Sequence, residues 1–139
     1  MRFISKLACL GGVVFALVLL AGCGERPKIT YYLIYPVEGA AKVTEAEETR
    51  LKSTLDQVAA SYKMAKTKPS DVDIIRYYQP TPSLTIAFYA KRTDGRIAVH
   101  LIPLTRGLDR REYYQKFHRS LANALSQNFP GRVGTMQEK

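Results

Sequence analysis

The sequence predicts an α+β fold: a small two-layer sandwich in which two amphipathic helices cover one face of an antiparallel or mixed sheet of three to five strands. Two segments carry apolar residues at helical spacing, one beginning near Thr44 and one near Leu108. Around them lie short segments rich in β-branched and aromatic residues, two of which flank an Asp-Gly turn. Two helices with one apolar stripe each need a common surface to cover, and one face of a sheet supplies it.

The first strand and the first helix follow from residue type and spacing. Ile29–Tyr35 is rich in β-forming residues and apolar on both faces, which predicts a strand that is central or covered on both sides. Thr44 and Glu47 match a capping box, in which each residue hydrogen-bonds the other's backbone N–H at a helix start. The apolar stripe of this helix comprises Leu51, Leu55, Val58, Tyr62 and Ala65. The helix should end near Lys66–Lys68, before a proline.

A β-hairpin is the best-defined element. Leu84–Ala90 and Ile97–Ile102 lie on either side of Asp94-Gly95, a dipeptide favoured where both central turn residues need positive φ. This turn places Thr93 opposite Arg96 and Lys91 opposite Ala98. Because side chains alternate between faces, the inward set comprises Ile86, Phe88, Ala90, Ile97, Val99 and Leu101.

The second helix and two shorter strands complete the predicted sheet and its cover. Asp109 and Glu112 form a capping pair at the helix start. The apolar stripe repeats every four residues, at Tyr113, Phe117, Leu121, Leu125 and Phe129. Pro130-Gly131 ends the helix. A short edge strand is expected within Asp71–Tyr78, which has a proline near each end, and another at Arg132–Met136.

The N-terminal segment has the three parts of a secretory signal. Arg2 and Lys6 give it a positive start, the 16 residues of Leu7–Gly22 carry no charge, and small residues precede Cys23. The apolar run is shorter than the roughly 20 residues of a spanning helix. Leu20-Ala21-Gly22-Cys23 resembles the lipobox of bacterial lipoproteins. The resemblance implies a diacylglycerol thioether on Cys23, cleavage before Cys23, and acylation, for example with palmitate, of the new amino group.

These observations divide the chain into three parts. We expect residues 1–22 to be a cleaved lipoprotein signal peptide, 23–28 to be the lipidated cysteine and a short linker, and 29–136 to form a single α+β domain. The five linker residues span at most about 17 Å, so the domain should sit close to the bilayer. Gly24 stands where an Asp retains enterobacterial lipoproteins at the inner membrane. The resemblance therefore favours the outer membrane, with the domain in the periplasm.

The composition excludes several kinds of site from the mature chain. Of the two cysteines, Cys9 is removed with the signal and Cys23 carries lipid, so no disulfide and no thiol site remain. Removing Arg2 and Lys6 lowers the formal charge from +9 to +7. In an exported protein this excess matches anionic lipids, polymers or acidic proteins rather than nucleic acid. Removing 22 of 139 residues leaves 117, enough for one domain.

The grouping of residues that catalysis needs is missing from the sequence. The two histidines, His100 and His118, share no short ligand motif, and there is no Gly-x-Ser-x-Gly elbow or Gly-rich phosphate loop. We therefore expect a protein that is not an enzyme, with no metal, no cofactor and no small-molecule substrate. A hydrolase whose site joins His100 or His118 to carboxylates across the fold is an alternative that the sequence leaves open.

Two groups of residues are candidates for binding. Arg106, Arg110 and Arg111 surround a helix start, where positive charge opposes the helix dipole, so they are candidates for an anionic contact. Tyr77 and Tyr78 lie near a presumed sheet edge and are candidates for a protein contact. The leading hypothesis is a membrane-anchored lipoprotein that binds an envelope protein assembly. The alternative is a binding module for an anionic envelope polymer or lipid head group, such as lipopolysaccharide.

Overall fold

The computed structural model describes residues 28–67, 74–79 and 86–138. Its elements in chain order are β1 (Thr30–Ile34), α1 (Glu45–Ser61), β2 (Ala65–Thr67), β3 (Ile74–Gln79), β4 (Ile86–Thr93), β5 (Arg96–Pro103), a 3-10 turn (Leu108–Arg110), α2 (Glu112–Asn128) and β6 (Val133–Gln137). The strands form one sheet in the order β2-β3-β4-β5-β1-β6, and every neighbouring pair is antiparallel. The predicted α+β class and two-layer arrangement are confirmed.

Some predictions lie outside the described residues. They concern the signal sequence, the lipobox with Cys23, and the ends of predicted elements at Lys68, Pro69, Asp71 and Leu84.

The core lies between the two helices and one face of the sheet. The predicted inward set of the hairpin, from Ile86 to Leu101, is buried in full, with each side chain at most 1% exposed. β1 contributes Tyr32 and Ile34, and each helix contributes its apolar stripe, including Leu55 of α1 and Leu121 of α2. Both helices therefore cover the same face, as the sequence predicts.

The β4–β5 hairpin has the predicted register. Thr93 pairs with Arg96 and Lys91 pairs with Ala98. Asp94 and Gly95 have φ values of 49° and 78°, the left-handed backbone that this two-residue turn requires. A Cβ at Gly95 would lie 2.4 Å from the carbonyl oxygen of Ala41, so only glycine fits beneath the loop that leads into α1.

The start of α1 is held by a network of charged and polar groups. Thr44 and Glu47 form the predicted capping box: the Thr44 N–H donates to Glu47 Oε2 at 2.8 Å, and the Glu47 N–H donates to Thr44 Oγ1 at 3.3 Å. Arg132 forms a salt bridge with Glu47 and donates from Nε to the carbonyl oxygen of Tyr35 at 2.9 Å. The hydrogen bonds from Arg132 and Thr44 hold the pKa of Glu47 below its ordinary value. This network joins the helix start to the ends of β1 and β6.

The first helix is shorter than predicted. It ends at Ser61, because Lys63 adopts a left-handed φ of 54° and the Met64 N–H donates back to the carbonyl oxygen of Ala59 at 2.9 Å. The chain then forms β2, which pairs with β3. Ala65, predicted in the apolar stripe of the helix, is exposed in this strand. Within the described residues the sheet therefore has six strands, more than the three to five predicted, and β3 lies inside it rather than at its edge.

The second helix also begins differently from the prediction. α2 starts at Glu112 with Arg111 as its N-cap, and no side chain caps it. The residues expected to open the helix form a 3-10 turn that Gly107 enters at a left-handed φ of 72°. Leu108 in this turn is 3% exposed and packs into the core. The predicted capping pair of Asp109 and Glu112 is therefore wrong.

Candidate functional site

The sheet face opposite the helices, called the open face below, is apolar and aromatic. Its positions alternate along each strand with the residues of the core. They include Tyr31, Leu33, Ala87, Tyr89, Lys91, Ala98, His100, Ile102, Gly134 and Met136. Neither helix of the described chain packs on this face, since the stripes of both helices belong to the core on the other side.

Three rings form a row across the centre of the open face. Tyr31 pairs with His100, and His100 pairs with Tyr89. The rings of Tyr31 and His100 meet edge to face at 4.7 Å between centroids, and those of Tyr89 and His100 stack at 4.4 Å. All three side chains are half-buried. We call them the aromatic row. Because the rings pack on one another, their side chains are held in place and would lose little conformational entropy if the face were covered.

The surroundings of the aromatic row carry positive charge. Leu33 and Ala98, which pair with each other beside it, are buried apolar residues. The Tyr35 ring covers Gly134, where an added Cβ would lie 3.1 Å from Tyr35 Cε2. The Arg96 guanidinium carbon lies 5.7 Å from the centroid of the Tyr35 ring, at cation–π distance. The strands contribute no carboxylate to the open face, while Lys91 and Arg96 contribute positive charge.

The surroundings of His100 favour the uncharged form of its imidazole. Burial against the neighbouring rings lowers the pKa of its imidazole, and the positive charge of Lys91 lowers it further. A neutral imidazole stacks on Tyr89 without carrying a buried charge. The centre of the open face is therefore apolar, and its charge lies at the margin.

Acidification is expected to destabilise the domain through this histidine. Because the pKa of His100 is lower in the folded chain than in the unfolded chain, the unfolded chain binds the proton more readily. Stability is therefore lost as the pH falls through the unfolded pKa of about 6.5, and the loss levels off below the folded pKa. Burial also lowers the pKa of His118. The part of the stability loss that is due to His118 therefore remains when His100 is replaced.

Urea unfolding at about pH 7.5 and about pH 5.5, on either side of the ordinary histidine pKa, measures this loss. We expect the free energy of unfolding to differ less between the two pH values in His100→Phe than in the unmodified protein, because phenylalanine keeps a ring in the row and does not titrate. An equal difference in the two proteins would show that His100 does not contribute.

The two tyrosines predicted as protein contacts are neighbours on β3. Tyr78 is 1% exposed, its ring stacks on Phe88 at 4.5 Å, and its hydroxyl donates to Asp56. The proposal that Tyr78 contacts a partner is therefore wrong, because the side chain is in the core. Tyr77 occupies the register position opposite Tyr89.

The three candidate arginines lie together at one end of the sheet. Arg106, Arg110 and Arg111 are exposed and belong to the segment Leu104–Arg111, which connects β5 to α2. β1 begins at the same end, because Thr30 pairs with Leu101 near the end of β5. The segment therefore lies beside the point where the chain that leads from Cys23 enters the sheet.

His118 lines a small polar cavity, and the described residues around it include no carboxylate. The cavity has a volume of about 220 Å³ and is lined by Lys28, Thr30, Tyr114, Gln115, His118 and Gln137. His100 lies on the opposite face of the sheet, and its described ring contacts are with Tyr31 and Tyr89. The hydrolase alternative requires His100 or His118 to lie beside carboxylates. The described contacts of the two histidines include no carboxylate.

A larger cleft lies at the other end of the sheet, between the start of α1 and the hairpin. Its volume is about 460 Å³, and its lining includes Lys42, Glu45, Lys52 and Arg96. Within it, Arg92 Nη2 donates to Glu48 Oε2 at 2.8 Å. Charges of both signs therefore line the cleft, and two of them, Arg92 and Glu48, pair with each other.

The described residues contain neither a metal-binding group nor a membrane-spanning helix. No group of three or more His, Cys, Asp or Glu side chains in residues 28–67, 74–79 and 86–138 is placed to hold a metal ion. Within the same ranges, no helix has both the length and the apolar character needed to cross a bilayer.

Comparison with known proteins does not assign the chain to a family. No protein-family model matches it, and no curated protein is similar enough to count as a relative.

Proposed function

We propose that this chain is a non-catalytic lipoprotein of the cell envelope, whose periplasmic domain binds a protein of an envelope assembly through the open face of its sheet. One observation carries the proposal: the aromatic row of Tyr31, His100 and Tyr89 lies half-buried on a face that neither helix covers. Ring clusters of this kind, next to apolar residues, are typical of protein contact surfaces.

The lipid anchor is the second part of the proposal and comes from the sequence. The lipobox ending at Cys23 places acyl chains only a few residues before β1, which begins at Thr30. Two acyl chains on one residue are enough for stable membrane attachment. A lipid anchor confines the domain to a thin layer above the bilayer, which raises its effective concentration toward membrane-bound partners.

The chemistry of the open face indicates what kind of partner it fits. Its centre is apolar and aromatic, its margin carries Lys91 and Arg96, and its strand positions carry no carboxylate. A complementary surface is apolar at its centre and acidic at its rim, because complementary charge steers association and a like charge on the partner would oppose it. We therefore propose an acidic-rimmed protein as the partner rather than a polyanionic polymer, which has no apolar centre.

Site-specific photo-cross-linking in intact cells tests this proposal. A photoreactive phenylalanine analogue replaces Tyr89 in the aromatic row or, as a matched control, Ser53 on the exposed side of α1. We expect adducts with one or a few proteins from position 89 and none from position 53.

The proposal is wrong if the adducts at the two positions are the same, or if position 89 and a second row position, Tyr31, both give none. Adducts at position 89 that resist proteases and carry envelope polymer would also overturn it, in favour of the polymer alternative.

A further inference from the structure

The segment Leu104–Arg111, called the basic loop below, has a defined conformation. The Leu108 N–H donates to the carbonyl oxygen of Thr105 at 3.2 Å, and the Arg111 N–H donates to that of Leu108 at 2.9 Å. Leu108 is inserted into the core. Because this one residue is buried, the side chains around it are held at the surface.

The surface of the basic loop combines positive charge with an exposed apolar residue. Arg106, Arg110 and Arg111 are exposed, and Leu104 is 53% exposed, one of the most exposed large apolar side chains of the described residues. Lys28 is also exposed and adds positive charge beside the loop, while Asp109 within the loop and Glu112 just after it oppose this charge. Arginine next to a protruding apolar side chain is typical of surfaces that contact the interfacial region of a bilayer.

The position of the basic loop relative to the linker that follows Cys23 indicates which membrane the loop contacts. Thr30 pairs with Leu101 and Tyr31 with His100. Continuing this antiparallel register by two residues places Lys28 beside Pro103, the residue before the loop. The Ile29 carbonyl oxygen accepts from the Glu138 N–H at 3.0 Å, which fixes the chain in the sheet at that point. Only the short linker from Cys23 to Lys28 then separates the acyl chains from the loop.

We infer that the basic loop rests on the bilayer that holds the lipid anchor, with Arg106, Arg110 and Arg111 binding the phosphates of anionic lipid head groups and Leu104 entering the interfacial layer. This inference rests on the lipid anchoring in the proposed function. The three arginines are too few for a strong independent anchor, but they need only orient a domain that is already attached.

The consequence is a fixed orientation of the domain. The basic loop lies at the ends of β5 and β1, so the strands run away from the bilayer. The open face then stands to the side, where a neighbouring membrane protein can reach the aromatic row. The loop and the open face thus have different roles, since the first orients the domain and the second contacts the partner.

Tryptophan fluorescence of the lipidated protein in vesicles tests this inference. The chain contains no tryptophan, so Leu104→Trp introduces a single probe, and Val37→Trp, 51% exposed at the other end of β1, is the matched control. Both proteins are placed in phosphatidylcholine vesicles with or without phosphatidylglycerol, using brominated acyl chains as quenchers. We expect a blue shift and quenching at position 104, stronger with the anionic lipid, and neither at position 37.

Adding Arg106→Gln, Arg110→Gln and Arg111→Gln to the position 104 probe should abolish the effect of the anionic lipid. Removing three arginines should lower the equilibrium constant for contact with the anionic surface by about 100-fold, given the usual contribution of a basic residue near such a surface. If the protein binds the vesicles, equal quenching at positions 37 and 104, or quenching that does not depend on phosphatidylglycerol, would overturn the inference. Failure of the protein to bind vesicles at all would instead contradict the lipid anchoring on which the inference rests.

Discussion

Cys23→Ser is expected to abolish lipid attachment while leaving the folded domain intact. The thiol is the acceptor for the diacylglyceryl group that the lipobox implies, and serine cannot form the thioether. Each buried methylene of an acyl chain contributes about 0.8 kcal/mol to membrane binding, so losing all the chains removes the anchor completely. Labelling cells with radioactive palmitate should mark the unmodified protein and leave the variant unmarked, and mass spectrometry of the N-terminal peptide should give the same result.

Cys9→Ser is the matched control, because it changes the other cysteine, which lies within the predicted signal. This variant should take up palmitate as the unmodified protein does. Replacing residues 1–23 with an ordinary cleavable secretory signal should release the domain as a soluble periplasmic protein that unfolds at an unchanged urea concentration. Palmitate on the Cys23→Ser variant, or membrane attachment of the secreted form, would contradict the lipoprotein proposal.

The parts of the fold that the sequence predicts well are those in which local signals agree. In the hairpin, the Asp94-Gly95 turn fixes a register that the apolar alternation fixes independently, so the pairing is predicted correctly throughout. The capping box of Thr44 and Glu47 marks the start of α1 because both side chains bond the backbone locally. Each of these signals lies within a few residues of the structure that it specifies.

The errors arise where distant contacts decide the structure. β2 has three residues and no periodic pattern, and it forms because β3 is beside it. At the start of α2, Leu108 fills the core and forces the chain into a 3-10 turn. In both places tertiary packing overrides a local propensity that favours a longer helix.

The candidate site was only partly accessible to sequence reasoning for a related reason. The register of the hairpin already places Tyr89 opposite His100, so two members of the aromatic row follow from the Asp94-Gly95 turn. The third member, Tyr31, depends on the pairing of β1 with β5, which no short-range signal specifies. The role of Tyr78 likewise depends on a distant contact, since the pairing of β3 with β4 brings its ring against Phe88.

Tyr78→Ala is expected to cost about 3–5 kcal/mol of unfolding free energy, the range for removing a large buried aromatic side chain. The substitution removes a ring that stacks on Phe88 and leaves a cavity in the core. It also removes a hydrogen bond to Asp56, which accepts from Arg76 Nε at 3.2 Å and from Nη2 at 3.1 Å. Since small domains have total stabilities of about 5–15 kcal/mol, this variant should lie near the limit of folding.

Tyr78→Phe separates the ring from the hydroxyl group. Although burial raises the pKa of Asp56, the hydrogen bonds from Tyr78 and Arg76 hold it below its ordinary value. Phenylalanine keeps the ring and removes one donor, so we expect a loss of about 1.5–3 kcal/mol, the range for a hydrogen bond to a charged group. The folded pKa of Asp56 should then lie closer to its unfolded value, so the variant should lose less stability than the unmodified protein as the pH falls.

Urea unfolding of the mature protein, followed by circular dichroism, measures the loss of unfolding free energy in Tyr78→Ala and in Tyr78→Phe. Tyr35→Ala is the control for a tyrosine at the surface, since Tyr35 is 40% exposed, and it should cost about 1 kcal/mol or less. If Tyr78→Ala costs no more than Tyr35→Ala, the side chain of Tyr78 is not in the core. It would then be available for partner contact, as its position beside Tyr77 first indicated, and the register of β3 would need to be shifted by one residue.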